Sequence, residues 1–156
     1  MTLCLFREAS CGYEWGPCPK IQLKSTLSPA SYAGKWYEHA RDKTVWYEQG
    51  DCARAKYTLL PDNSLEVRNS QRYPGTNEPS DDSKFSGKAA CPKGTGDCYV
   101  SFFWIDKNDY SIVETDYTSY SIVRGCEEYI FGLLRQEVYW ILLRDPNAST
   151  SVTDVA

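Results

Sequence analysis

The chain has 156 residues, a length typical of one domain that buries a substantial hydrophobic core. Its net charge of −4 comes from 17 basic and 21 acidic residues, and this mixed balance argues against nucleic acid as a partner. A single histidine, His39, excludes a multi-histidine metal site, and we expect no bound metal. No apolar run approaches the length of a transmembrane helix.

The seven cysteines are dense for this length and include no CxxC pair. This pattern indicates disulfides rather than a zinc site, and therefore an oxidising, extracellular compartment. The odd number leaves at least one thiol free, joined to something else or without its partner. The first residues, Met1 to Glu8, are too few and too charged for a signal peptide, so we expect a mature or recombinant form of a secreted protein.

The chain divides into an arm and a series of strands. Residues 1–30 contain three cysteines, three prolines and little periodicity, which predicts an irregular, cysteine-rich N-terminal arm. Short alternating runs separated by turn signals follow, as in antiparallel β structure. The predicted strands are Gly34–Arg41, Cys52–Leu60, Leu65–Gln71, Lys84–Ala90, Cys98–Ile105, Tyr110–Tyr117, Tyr120–Ile130 and Val138–Arg144. Eight strands with short connections fit an up-and-down barrel or a sandwich, and periodicity alone does not choose between them.

Three short motifs lie at the ends of predicted strands. Gly34-Lys35-Trp36-Tyr37-Glu38 begins the first strand, Thr115-Asp116-Tyr117 ends the sixth, and Arg144 ends the eighth. In this order, and with the segment 55–62 between them, they resemble the motifs of the lipocalin family. The resemblance covers roughly residues 18–147 and is greatest to the branch that contains apolipoprotein D, the insect bilin-binding proteins and the bacterial lipocalins.

The resemblance implies an all-β, eight-stranded antiparallel up-and-down barrel, a calyx that is closed at one end and open at the other. It places this barrel at residues 31–147, followed by a tail at 148–156 from which the C-terminal helix of the family is expected to be missing. The motif residues would hold the closed end together, with the guanidinium of Arg144 stacked on Trp36. These structural residues are Gly34, Trp36, Thr115, Asp116, Tyr117 and Arg144.

The inward positions follow from strand alternation together with the resemblance. They form an apolar, aromatic wall with a few polar groups, which is typical of a small-molecule site, and the small residues Ala55, Gly87 and Ala89 leave space within it. The predicted ligand-binding residues are Tyr57, Val67, Asn69, Gln71, Phe85, Phe102, Tyr110, Ile112, Glu114, Trp140 and Leu142.

Glu114 is the unusual member of this set, because its carboxylate is expected to face the lumen. Burial would raise its pKa, and a buried charge needs a partner. Two interpretations remain open. The carboxylate accepts a hydrogen bond from a ligand, or it pairs with a nearby tyrosine, with Arg124 or with water.

The connections at the open end carry apolar residues. Val45, Trp46 and Tyr47 lie in the first of them, and Ile130, Phe131, Leu133 and Leu134 lie in or near the last. Such side chains can gate the ligand, dock on a membrane surface, form a homo-oligomer through the mouth or fold back over the pocket.

The cysteines divide into two pairs and a remainder. The resemblance implies a Cys18–Cys126 disulfide, whereas a Cys91–Cys98 disulfide is predicted from their spacing around a turn-rich connection. In the family the partner of Cys52 lies in a C-terminal segment that this chain does not reach. Cys52 is therefore expected either to lack its partner or to pair with Cys4 or Cys11.

The function that these features predict is a secreted binding and transport protein that sequesters one small lipophilic molecule. The aromatic wall favours a flat, conjugated ligand such as a bilin, with no obligatory cofactor. The first alternative is a lipocalin-type enzyme, which would require His39 beside an inward cysteine or a second titratable group beside Glu114. The second alternative is an interaction protein with a filled barrel.

Overall fold

The structure, a computed structural model, describes residues 13–42, 51–73, 75, 86–103 and 105–148. Nearly all of the regular structure in these ranges is β-strand, which confirms the predicted all-β class. The only helix in the described part has four residues and could not cross a membrane. The elements in chain order are β1 (Tyr13–Trp15), α1 (Pro29–Tyr32), β2 (Gly34–Arg41), β3 (Asp51–Leu59), β4 (Leu65–Arg72), β5 (Ser86–Ala90), β6 (Tyr99–Phe102), β7 (Ile105–Asp109), β8 (Ser111–Thr115), β9 (Tyr120–Tyr129) and β10 (Leu134–Leu143).

The strands form one antiparallel sheet in the order β7-β6-β5-β4-β3-β2-β10-β9-β8, and β1 pairs with β10. The two ends of this order, β7 and β8, are separated in the chain by Tyr110 alone. They act as one bent strand that passes from β6 to β9 and nearly closes the sheet into a barrel. A hydrogen bond of 2.9 Å from the Cys126 amide to Asp109 Oδ2 ties the β7 half of this strand to β9.

The strand count differs from the prediction at two places. The chain turns between Phe102 and Ile105, which lie opposite each other. The predicted fifth strand therefore ends at Phe102, and the next strand, β7, begins at Ile105 rather than at Tyr110. No glycine, proline, asparagine or aspartate stands at positions 103–104 to signal this turn. The second difference is β1, which pairs with the upper part of β10 although the arm was expected to be irregular. Three residues are too few to show a period.

The hydrophobic core occupies the closed end of the barrel. The N-terminal segment crosses this end and is held by the chain between β5 and β8. The Lys24 amide donates to Ile112 O at 3.1 Å, Gly96 N donates to Lys24 O at 2.7 Å, and Leu27 N donates to Gly94 O at 2.8 Å. The buried cluster comprises Leu27, Tyr32, Trp36, Tyr57, Leu65, Val67, Ala89, Cys98, Ile112, Val123 and Leu142.

Both predicted disulfides are confirmed. Cys18 is bonded to Cys126 with a Cα–Cα distance of 6.1 Å, and Cys91 is bonded to Cys98 with a Cα–Cα distance of 4.1 Å. The first bond attaches the arm to the wall at β9. Cys52 is exposed and forms no disulfide with any residue in the described ranges. Its alternative partners, Cys4 and Cys11, lie outside those ranges, as do Lys84, Phe85 and the tail from residue 149.

Candidate ligand-binding site

Arg144 closes the bottom of the barrel. Its guanidinium carbon lies 3.7 Å from the centre of the Trp36 ring, which confirms the predicted stacking. The guanidinium also donates to the carbonyl oxygens of Lys35 at 2.8 Å, Tyr117 at 2.9 Å and Ala33 at 3.0 Å. Because planar donors meet a fixed set of backbone acceptors, the cation is held against the buried ring and seals this end.

The two other motifs support this closure. Gly34 has a φ of +111°, and a Cβ there would lie 2.8 Å from Nη1 of Arg144, so only glycine fits. The Thr115 hydroxyl donates to the carbonyl of Tyr120 at 2.7 Å. Asp116 Oδ1 accepts hydrogen bonds from the backbone amides of Thr118, Ser119 and Tyr120. These bonds stabilise the turn that connects β8 to β9.

One row of lumen-facing residues crosses four neighbouring strands. Tyr57 lies opposite Val67, Val67 opposite Gly87, and Gly87 opposite Phe102. Residues directly opposite each other share a face of the sheet, and the buried Tyr57 and Val67 identify this face as the inner one. A Cβ on Gly87 would come within 2.6 Å of the Phe102 ring, so the ring packs closely against the backbone of β5.

A second lumen-facing group contains Trp140 and Asn69. Trp140 lies opposite the buried Val123, and its ring covers Gly125, whose Cβ would lie 3.2 Å from Cζ3 of the indole. Asn69 lies opposite Ala55, which in turn lies opposite Trp36, the plug of the closed end. Asn69 therefore faces the lumen above the plug, as predicted.

The structure divides the predicted ligand-binding residues between the two halves of the barrel. Tyr57, Val67, Ile112 and Leu142 belong to the packed core, where each is at most 7% exposed. Partly exposed positions lie on the same inner face toward the open end, so the accessible part of the lumen is there. These positions are Asn69, Phe102 and Trp140, whereas Tyr110 packs against the core with its hydroxyl 2.6 Å from that of Tyr57.

Two of the predicted ligand-binding residues, Gln71 and Phe85, belong neither to the packed core nor to the partly exposed positions. Gln71, on the inner face of β4, is buried, and its Nε2 donates to the hydroxyl of Tyr73 at 3.2 Å. Phe85 lies outside the described residues.

Glu114 does not face the lumen. The register shifts between Ile112 and Glu114, so that Ile112 lies opposite Val123 whereas Glu114 lies opposite Ile122. Because successive residues of β9 point to opposite faces, this bulge moves Glu114 to the outer face. There it forms an ion pair with Lys24, and its side chain is 47% exposed. The hydrogen bond from Lys24 lowers the pKa of the carboxyl. The predictions of an inward carboxylate and a raised pKa are therefore wrong.

A charged pair, Glu38 and Arg41, lies on the lumen wall and was not predicted from the alternation of side chains along the strand. Glu38 lies opposite Leu142 and Arg41 lies opposite Trp140, with a register shift between them. This irregularity lets two residues three apart in sequence share the inner face. The guanidinium of Arg41 donates to the Glu38 carboxylate, and the side chains are 21% and 12% exposed. The available signal was that Glu38 stands two residues after Trp36.

A cluster of hydroxyl groups lies above the plug. Tyr110 OH is 2.6 Å from Tyr57 OH and 3.4 Å from Tyr32 OH, which is 3.0 Å from the Ser121 hydroxyl. Burial raises the pKa of Tyr32 and Tyr110, so both phenols are neutral near pH 7. Tyr57 and Tyr110 were predicted as ligand contacts, whereas Tyr32 and Ser121 were missed because they stand outside the alternating residues considered for the wall.

The last turn of the open end does not cover the lumen. Ile130, Phe131 and Leu133 are all exposed, so folding back over the pocket is wrong for these three residues. Leu134, the first residue of β10, is half-buried and lies opposite Tyr129 of β9. The first connection, with residues 45–47, lies outside the described residues.

Solved structures with this arrangement include two arthropod proteins. Insecticyanin from the tobacco hornworm Manduca sexta superposes with a TM-score of 0.77 at 21% identity, over 92% of this chain and 77% of that one. Lobster apocrustacyanin A1 superposes with a TM-score of 0.64 at 20% identity, over 88% of this chain and 81% of that one. At these identities the likeness shows the fold alone.

Sequence comparisons identify the family. Apolipoprotein D of Mus musculus is 31% identical over 137 residues, which cover 86% of this chain and 69% of that protein. The Lazarillo protein of Schistocerca americana is 34% identical over 120 residues, which cover 76% of this chain and 56% of that protein. The family model for a lipocalin-like domain matches residues 29–155. With the three motifs assembled at the closed end of an antiparallel barrel, the chain belongs to the lipocalin family.

Proposed function

We propose that this protein is a secreted binding and transport protein that sequesters one small lipophilic molecule in the open half of its barrel. The observation that carries the proposal is that Phe102 and Trp140 face the lumen while remaining partly exposed. Membership of a family made up mainly of binding and transport proteins supports it. Two disulfides fit an oxidising compartment outside the cell. We take residues 31–147 as the binding domain, with the arm at 1–30 and the tail at 148–156.

Binding of this kind is equilibrium sequestration without a chemical step. Burial of the ligand's apolar surface against the aromatic wall supplies about 25 cal/mol for each Å² removed from water. Polar groups on the same wall would orient the ligand. Asn69 offers an amide, and the Glu38–Arg41 pair offers both a donor and an acceptor next to Trp140.

The proposed class of ligand is a flat, conjugated molecule such as a bilin. The support is that the open half of the lumen presents aromatic rings from Phe102 and Trp140, and flat rings stack well on flat ligands. An ultraviolet–visible spectrum of protein purified from its native source, followed by mass spectrometry of the extract, tests this. Visible absorbance that follows the protein is expected. A colourless protein that releases a saturated lipid would contradict the conjugated class, and one that releases nothing would favour the filled barrel.

The residues that the enzyme alternative requires do not lie in positions suited to catalysis. His39 is exposed on β2, and Glu114 pairs with Lys24 on the outer face of β8. General acid–base catalysis requires a free titratable group within reach of the bound molecule, and the lumen carboxylate of Glu38 is already paired with Arg41. The geometry therefore favours binding over catalysis.

A further inference from the structure

A cluster of exposed apolar side chains stands at the tip of the β9–β10 hairpin and on the adjoining β1. We call it the rim patch. Phe131 is 105% exposed and Trp15 is 81% exposed. The rings of Tyr13 and Tyr129 are 5.5 Å apart, and the Gly16 amide donates to Leu133 O at 2.9 Å, so strand and turn form one surface. The members of the rim patch are Tyr13, Trp15, Tyr129, Ile130, Phe131 and Leu133.

The backbone of this turn is unfavourable for the residues it carries. Leu133 N donates to Ile130 O at 3.2 Å, which places Phe131 and Gly132 at the central positions of a turn. Their φ values of +57° and +79° are typical of a type I′ turn, which favours Asn-Gly, and Ile130 also has a positive φ of +51°. Bulky residues at these positions do not stabilise the fold, because their backbone conformation is unfavourable and their side chains are not buried. Strain of this kind points to a contact outside the chain.

The rim patch lies beside the mouth of the barrel. Since neighbouring strands are antiparallel and β7 and β8 together form one bent strand, the turn after β9 is at the same end as the turns after β2, β4 and β6. The β6–β7 turn carries another exposed ring, Phe103, and β7 runs beside β9. Apolar tips therefore project from two neighbouring turns of the open rim.

We propose that the rim patch inserts into the surface of a zwitterionic phospholipid membrane, with the barrel mouth turned toward the lipid. A group of exposed apolar side chains flanked by tyrosine and tryptophan suits the interface between headgroups and acyl chains. The adjoining strand ends carry an excess of acidic residues, which complements the outward ammonium groups of zwitterionic headgroups and opposes an anionic surface. These charged residues are Glu14, Glu127, Glu128 and Glu137 against Arg124 and Arg135, and the two arginines form ion pairs with Glu137 and Glu14, respectively.

A second copy of the chain fits this surface less well. A stable dimer buries about 800 Å² on each partner, usually across a flat, self-complementary area. The rim patch is one turn and one three-residue strand, and a two-fold contact through it would bring two sets of these acidic residues together. Docking itself does not depend on the proposed function. Only the consequence that a ligand passes from lipid to lumen rests on it.

The test is sedimentation of the whole protein with phosphatidylcholine vesicles. Phe131→Asn creates Asn-Gly at the centre of the turn, so the thermal midpoint is expected to stay equal or rise while vesicle binding falls about tenfold. Leu59→Gln is the matched control, because Leu59 is an exposed leucine at the opposite end of the barrel. Its vesicle binding is expected to equal that of the native chain.

Three results would overturn docking. These are native-level binding by Phe131→Asn, tighter binding to phosphatidylglycerol vesicles than to phosphatidylcholine, and a lipid-free dimer that Phe131→Asn dissociates. Titration with a fluorescent fatty acid in the absence of vesicles measures ligand binding in the lumen separately from membrane docking. Phe131→Asn that still binds the fatty acid but no longer binds vesicles supports docking.

Discussion

At the scale of single residues, the closed end depends on close contacts among Gly34, Trp36 and Arg144. Trp36 is fully buried, and its indole N–H donates to Tyr32 O at 2.9 Å. Arg144 covers the ring, and Gly34 lets the guanidinium approach the backbone. These residues are distant in sequence, yet each is required by the others.

Gly34→Ala is expected to lower the free energy of unfolding by about 1–3 kcal/mol, because it adds steric contact with Arg144 to a φ that alanine disfavours. Gly16→Ala is the matched control. Gly16 has a similar φ, +100°, but a Cβ there would lie 3.6 Å from Arg135 Nη1, an ordinary contact distance. Urea denaturation measures both variants. Equal losses would mean that the contact with Arg144 contributes nothing.

Because Tyr32 and Tyr110 carry buried phenols, the free energy of unfolding is expected to depend on pH in the alkaline range. Burial raises the pKa of Tyr110 above its ordinary 10.0 in the folded state, whereas in the unfolded chain the phenol ionises near 10. Above pH 10 the unfolded state therefore loses a proton that the folded state keeps. Stability is expected to fall with rising pH, by up to about 1.4 kcal/mol per pH unit for each such group.

Tyr110→Phe tests this linkage. The variant is expected to lose about 1 kcal/mol at pH 7, because it removes the hydrogen bond to Tyr57. Above pH 10 its stability should fall less steeply than that of the native chain, since one titrating group is gone. Urea denaturation from pH 7 to 11 measures both effects. Parallel pH profiles for the two proteins would show that Tyr110 titrates normally.

At the scale of elements, the N-terminal arm is a structural part of the barrel. Besides the Cys18–Cys126 bond, Arg124 donates to Pro19 O at 3.1 Å, and Cys18 N donates to Glu128 Oε1 at 2.7 Å. The segment then continues across the closed end through Lys24. The arm thus fixes β9 and seals the base at the same time.

Replacing Cys18 and Cys126 with serine is expected to cost about 4–5 kcal/mol, because the chain-entropy model weights a disulfide by the length of loop it closes. The sequence separations are 108 residues for this bond and 7 for Cys91–Cys98. The same double change at Cys91 and Cys98 should cost about 2–3 kcal/mol. Guanidinium unfolding of both variants gives the comparison. A larger loss from the short loop would contradict the entropic account.

The elements also show how far the sequence could predict the structure. Regular alternation in β3 and β4 correctly placed Tyr57, Val67 and Asn69 on the inner face. It failed where the register shifts, because one extra residue reverses the direction of every side chain that follows. This error placed Glu114 in the lumen and concealed the inward Arg41. Such irregularities arise from the closure of a twisted sheet, which no local pattern encodes.

At the scale of the whole molecule, the barrel has two halves with different roles. The closed half is a packed core crossed by the arm, and the open half keeps partly exposed aromatic and polar side chains on its inner face. Four of the predicted ligand contacts belong to this core and would form the floor of the proposed site: Tyr57, Val67, Ile112 and Leu142. A ligand of limited length fits this arrangement better than one that fills the whole barrel.

The most direct test of the proposed function is to fill the open half of the lumen. Asn69→Phe places a ring in that half, and Arg68→Phe places the same ring on the outer face of the same strand. Titration with the conjugated fatty acid parinaric acid, followed by fluorescence, measures affinity and stoichiometry. We predict one equivalent bound by the native chain and by Arg68→Phe, and binding about tenfold or more weaker for Asn69→Phe. Native affinity in Asn69→Phe would contradict a ligand site inside the barrel.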